Sequence, residues 1–69
     1  MEVKIKDEFI KLGQALKLAG LVENGAQAKE VIQDGLVKVN GEKEERRGRK
    51  CVPGDEIELE GKKFRITCS

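Results

Sequence analysis

The sequence contains no histidine, tryptophan or tyrosine, a single proline, and two phenylalanines, Phe9 and Phe64. Each shortage removes a class of function. Without histidine, a four-ligand structural zinc site cannot be completed within one copy of the chain, and Cys51 and Cys68 have no zinc-ligand spacing. A serine–histidine triad is excluded too, since the only serine is the terminal Ser69. No carboxylate pair falls in an apolar setting and the glycines form no phosphate-binding loop pattern, so no enzyme, cofactor or metal site is expected. Two aromatics are too few for a platform that reads a splayed single strand by stacking. No cationic segment precedes an apolar run, so neither a signal peptide nor a membrane span is read. The two thiols are then expected to be reduced and unpaired in a cytoplasmic protein.

What is present suits a small globular fold. The 69 residues have room for one domain, spanning 1–69 and expected to be monomeric, with 38% hydrophobic and 39% charged side chains. A domain of this size buries only about 60% of its unfolded surface, and its core must come from Leu, Ile, Val and Ala. The net charge of +1 names no partner, but its distribution is uneven. Residues 1–35 carry five basic and six acidic groups, and residues 51–69 carry three and four. Residues 36–50 carry six and three, and Arg46, Arg47, Arg49 and Lys50 crowd around Gly48. Such a run is either a solvated loop or an anion-binding patch.

Met1 to Lys6 alternates apolar and charged residues, the period of a short edge strand. Leu12, Ala15, Leu16 and Ala19 then recur at i, i+3, i+4 and i+7, which predicts a helix over 12–19 with Lys11 and Lys17 off its apolar face. Gly20 is placed to end that helix in the left-handed conformation. A second helix is predicted over 25–34. Asn24 is its N-cap, Gln27 sits where a capping box puts its reciprocal partner, and Ala28, Val31, Ile32 and Gly35 repeat the spacing. Two short one-sided helices cannot bury their apolar faces alone and need another layer.

That layer is β. Leu36 to Val39 reads as a strand, and Asn40-Gly41 as a type I′ turn. Glu42 to Lys50 is polar and is expected to leave the sheet as a loop or irregular strand, and Pro53-Gly54-Asp55 marks another turn. Strands over 56–60 and 63–67 form a hairpin. With Gly61-Lys62 as its turn, Glu60 faces Lys63, Leu59 faces Phe64 and Ile57 faces Ile66, which gathers the large apolar residues on one face. The expected class is α+β, two short helices packed on a small, mainly antiparallel sheet.

Lys11-Leu12 with Leu16, Ala28-Lys29 with Ile32, the run from Gly35 through Val39-Asn40-Gly41, and Gly54-Asp55 follow in a distinctive order. In that order and spacing they resemble the S4 RNA-binding domain, named after a ribosomal protein. The likeness covers about residues 11–57. The chain looks like the stand-alone bacterial, YbcJ-like type, also in Arg46-Arg47-Gly48-Arg49-Lys50 after a Glu pair. The resemblance implies an αL-type motif and a ribosome-associated, cytoplasmic protein binding structured RNA, ribosomal RNA included. Carried over by position, it implies contacts from Lys11, Gln27, Lys29, Lys38 and Asn40, with Arg46, Arg47, Arg49 and Lys50 as an additional clamp. One departure stands out: where many members open the second helix with Ser-Arg, this chain has Asn24-Gly25, so the cap is kept and a cation is missing.

Elementary chemistry points to the same face. A helix N-terminus presents unpaired N–H groups to a phosphate, Gly25 leaves that end open, and Arg grips phosphate with two parallel bonds. Several of these residues also have plain structural roles open to them. Gln27 can serve the capping box, Lys38 can be an outward strand residue, Asn40 an ordinary turn residue, and Glu42, Glu44 and Glu45 can keep the loop soluble. A different class of function, a protein–protein adaptor using exposed sheet edges, is the rival.

Overall fold

The computed structural model describes residues 1–68. In chain order the elements are β1 (Glu2–Ile5), β2 (Ile10–Lys11), α1 (Leu12–Leu18), α2 (Gly25–Gln33), β3 (Val37–Val39), β4 (Glu42–Lys43), β5 (Lys50–Cys51), β6 (Glu56–Leu59) and β7 (Lys62–Cys68). A five-stranded sheet runs β1-β7-β6-β3-β4, and β2 pairs with β5 in a separate two-stranded ladder. All pairings are antiparallel except β1 with β7. The helices cover one face of the large sheet, and the core lies between the two layers. Leu12, Ala15 and Leu16 of α1, with Ala28 and Ile32 of α2, meet Val37, Ile57, Phe64 and Ile66 of the sheet, each at most 2% exposed. This is the expected α+β arrangement.

Both helices end as their sequences dictate. Gly20 and Gly35 take φ of +76° and +77°, the left-handed cap that only glycine adopts without penalty. Leu21 donates back to the Leu16 carbonyl at 3.1 Å, which folds Val22 beneath α1. Asn40 and Gly41 take φ of +54° and +85°, the type I′ pair expected between β3 and its return strand. That return strand is short, the irregular-strand form of the two expected for this stretch. Glu42 and Lys43 pair with Val39 and Lys38 before the chain leaves the sheet. Both are exposed, so their pairing rests on backbone bonds and has no apolar signature.

The β6–β7 hairpin departs from the expected register. Its turn is Glu60-Gly61, not Gly61-Lys62, with φ of +50° and +85°. Ile57 therefore opposes Phe64, Glu58 opposes Lys63, and Leu59 opposes Lys62. Glycine occupies the second turn position, as in Asn40-Gly41, and that choice moves the pairing by two residues. An even shift leaves every side chain on its original face, so Ile57, Leu59, Phe64 and Ile66 still share the core side. The outer side gains the pairs Glu58–Lys63 and Glu56–Arg65, the latter at 3.7 Å.

Cys51 on β5 is fully buried, and burial, reinforced by nearby Asp55, pushes its thiol up to about 11. A thiol held protonated in this way is a packing residue. Cys68 ends β7 and is exposed, and neither cysteine is disulfide-bonded.

Glu60 carries a side chain in a conformation that costs a non-glycine residue roughly 1–2 kcal/mol, less for Asn. Glu60→Asn should recreate the Asn-Gly pair of the first turn and raise the thermal midpoint by a few degrees. An unchanged or lowered midpoint would argue against the Glu60-Gly61 register.

Candidate nucleic-acid interface

The site is built by the segment joining β4 to β5. Its organiser is Glu44, which sequence reading assigned to solubility and the fold places at 6% exposure. The Glu44 N–H donates to the Val37 carbonyl at 3.0 Å, a last rung of the β3–β4 ladder that carries the side chain inward. Its carboxylate accepts from Arg46 Nε at 3.0 Å and Nη2 at 3.1 Å, from the Arg46 backbone N–H at 3.1 Å, and from Arg49 Nη1 at 2.9 Å. The Arg46 bonds hold the carboxyl down at about 2, with Arg49 adding to them and burial working against them. The same pairing raises the Arg46 guanidinium.

Folded around this carboxylate, the loop turns its carbonyls onto α1. Leu12 N–H donates to the Arg49 carbonyl at 2.9 Å and Gly13 N–H to the Arg47 carbonyl at 3.3 Å. Helix α1 has no side-chain cap, since Lys11 occupies its N-cap position, so the loop satisfies two of its free donors. Gly13 makes this approach possible. A Cβ there would come within 3.0 Å of Arg47 Cγ, so only glycine lets the Arg47 stem lie across the helix undisturbed.

Helix α2 presents its start to the same place. Asn24 accepts from the Gln27 N–H at 2.8 Å, and the Gln27 side chain accepts from the Glu23 N–H at 2.7 Å. The cap leaves the N–H groups of Gly25 and Ala26, which no helical carbonyl can reach. Space beside Gly25 is open. The result is a groove of about 280 Å³ lined by Lys11, Gly13, Gln14, Lys17, Gly25, Arg47 and Gly48. Three cations border it, and none of its lining residues is acidic. A phosphodiester suits such a place, in charge and in donors.

The residues predicted from sequence are thus divided. Lys11 and Arg47 line the groove, and Lys29 is exposed one turn beyond Gly25. Arg46 and Arg49 are tied to Glu44, although the Arg46 side chain remains 77% exposed. Lys50 lies over the Phe9 ring, 4.8 Å from its centroid. Gln27 has its oxygen committed to the cap. Asn40 donates to Asp55 Oδ1 at 3.0 Å and accepts from the Glu56 N–H at 2.9 Å, which clips two turns together. Lys38 stands on the outer face of the sheet between Lys43 and Glu58, away from the helices. Lys17 and Gln14 were missed as candidates. The signal was available: Lys11, Gln14 and Lys17 recur every third residue, a row beside the apolar stripe. Among the described residues no cluster of His, Cys, Asp or Glu could hold a metal, and no helix is long and apolar enough to cross a membrane.

Residues 3–67 match the family model of the S4 domain. The chain is 46% identical over 59 residues to the probable ribosome maturation protein RlbA of Bacillus subtilis, covering 86% of this chain and 83% of that one. It is 39% identical over 61 residues to the putative RNA-binding protein YbcJ of Escherichia coli, covering 88% and 87%. The solution structure of YbcJ, described as revealing an αL motif involved in RNA binding, superposes with a TM-score of 0.71 over 97% of this chain and 84% of that one, at 36% identity. The 30S ribosomal protein S4e of Thermoplasma acidophilum superposes at 0.67 with 26% identity, covering 87% of this chain and 32% of the larger protein.

Glu44 gives the loop a pH signature. Its folded-state pKa lies below the unfolded value, so the unfolded chain takes up the proton first. Its stabilisation is complete above pH 4.5 and is lost as pH falls toward about 2. Glu44→Gln should lower stability by about 1–3 kcal/mol at neutral pH, the usual cost of breaking a buried charge-assisted bond set. The difference between wild-type and variant stability should shrink across that acid window. Denaturant melts that stay parallel from pH 7 to pH 2 would contradict the arrangement.

Proposed function

Because the chain belongs to the S4 domain family, we propose that it binds structured RNA, ribosomal RNA in particular, as a non-catalytic, monomeric, cytoplasmic module serving ribosome maturation. The observation that carries this reading is the groove: Lys11, Lys17 and Arg47 converge on the open start of α2 with no carboxylate among them. The names of RlbA and YbcJ support the partner class. Recognition here is of shape and backbone. Cations and helix N–H groups bind phosphates irrespective of sequence, and a rigid helix pair sets the phosphate spacing that fits.

Eight of the nine residues expected from sequence then act by different routes, and the ninth, Lys50, is engaged with the Phe9 ring. Lys11 and Arg47 touch phosphate directly, joined by Lys17, while Lys29 extends the positive rim along α2. Arg46 and Arg49 act through Glu44 by holding the loop in place, and the exposed edge of Arg46 reaches a neighbouring phosphate. Gln27 presents the α2 start by capping it, and Asn40 braces the sheet. Lys38, on the far face, adds only to the general positive field.

Titration of a structured RNA hairpin at several salt concentrations tests the proposal. Each lost phosphate contact should remove roughly 0.7–0.9 from the slope of log affinity against log salt. Replacing Lys11, Lys17 and Arg47 together by Gln should cut affinity sharply and flatten the slope by about two. Thermal stability should change little, because exposed side chains contribute within about 0.5 kcal/mol each. Lys38→Gln with Lys63→Gln should leave binding almost as it was. A triple variant that melts normally and binds with unchanged affinity and slope would remove the groove from the interface. Wild-type protein without salt-dependent binding would favour the adaptor role.

A further inference from the structure

A second cleft opens on the other side of α1, between that helix and the segment from β1 to β2. It measures about 390 Å³, within the range of sites that hold small flat molecules. Ile5, Phe9, Ile10 and Leu18 form its apolar part, of which Phe9 and Leu18 are 37% and 65% exposed. Lys4, Lys6 and Lys17 form its cationic part, opposed by one carboxylate, Asp7. Phe64 is in the core at 2% exposure, so among the described residues Phe9 is the aromatic ring most open to solvent. The Lys50 ammonium lies over that ring, 4.8 Å from its centroid, and Lys50 is not among the residues lining the cleft. Gln14 and Lys17 line this cleft and the phosphate groove alike, so the two join across the exposed face of α1.

We propose that this cleft takes a single unpaired nucleobase, one that bulges from or overhangs the structured RNA whose phosphates lie in the neighbouring groove. This inference rests on the RNA-binding reading above and adds a base subsite to it. A nucleobase offers a flat π face to Phe9 and a polar edge to the exposed amide of Gln14, while its flanking phosphates meet Lys4, Lys6 and Lys17. Charge complementarity therefore selects a nucleotide over an apolar peptide side chain. One ring holds one base, which remains consistent with a chain too poor in aromatics to bind an extended single strand. The cation beside the ring also favours stacking, because Lys50 fixes Phe9 in place by its own attraction to the π face.

Two RNA hairpins of equal phosphate count separate the subsite from the groove, one with a bulged adenine and one fully paired. Wild-type protein should bind the bulged hairpin at least about fivefold more tightly, the lower end of base–aromatic stacking. Phe9→Leu keeps apolar bulk and every charge, so it should abolish the preference while preserving the affinity for the paired hairpin and the salt slope. Phe9→Trp should keep the preference, and its indole, the only one in the chain, should be quenched by the bulged hairpin and not by the paired one. Equal wild-type affinity for both hairpins with a normal salt slope overturns the subsite and leaves the groove intact, as does a full preference in Phe9→Leu. Absence of salt-dependent binding to either hairpin overturns both.

Discussion

Glu44 accepts hydrogen bonds from two arginines at the point where the chain leaves the sheet, and the geometry of the groove depends on them. Without that carboxylate, the stretch from Glu45 to Lys50 holds four cations and no apolar anchor, a composition that would spread into solvent by self-repulsion. With it, Arg46 and Arg49 are drawn to one side, and the carbonyls of Arg47 and Arg49 meet the N–H groups of Gly13 and Leu12. Arg46 remains largely exposed, so the desolvation falls mainly on Glu44, where four hydrogen bonds offset it and leave the pairing net stabilising. Its consequence is positional: Arg47, the one arginine of the cluster with no carboxylate partner among the described residues, is left across Gly13 and beside α2.

A nearly neutral protein can in this way present a strongly basic site. Eleven of the thirteen carboxylates lie outside the loop's own pair, Glu44 and Glu45. On the outer face of the sheet, Glu58 stands among Lys38 and Lys63, and Glu56 beside Arg65. The groove, by contrast, concentrates Lys11, Lys17 and Arg47 without an acidic neighbour in its lining. Segregation by face, not the net charge of +1, is therefore what bears on a polyanionic partner.

Much of the fold is legible in the sequence because it is local. The apolar repeats of α1 and α2, the Asn24 cap, the two glycine stops and the Asn40-Gly41 turn each follow from residues within one or two turns of chain. The β6–β7 register was misread by two residues because Gly61 fits either position of a two-residue turn, and an even shift conserves the faces that alternation reports. Non-local features left no periodic trace. The parallel pairing of Val3 with Ile66, and the two-residue ladders of β2 with β5 and β3 with β4, are too short or too distant in sequence to imprint a pattern. For the site, the αL resemblance and the basic run pointed to the region where the groove of Lys11, Lys17 and Arg47 lies. The unequal roles within it were hidden, because nothing in Glu44-Glu45-Arg46-Arg47 says which carboxylate turns inward. That is decided by the backbone bond from Glu44 to Val37.

The central claim is that the polyanion-binding face is the helix-and-loop groove and not the outer sheet. Amide chemical shifts recorded while a short RNA hairpin is added test it residue by residue. The account predicts that Lys11, Gly13, Gln14, Lys17, Gly25, Arg47 and Gly48 move together with one saturation curve, while Lys38, Lys43 and Lys63 stay near their free positions. Shifts centred on the outer sheet face, with the groove residues silent, would contradict it.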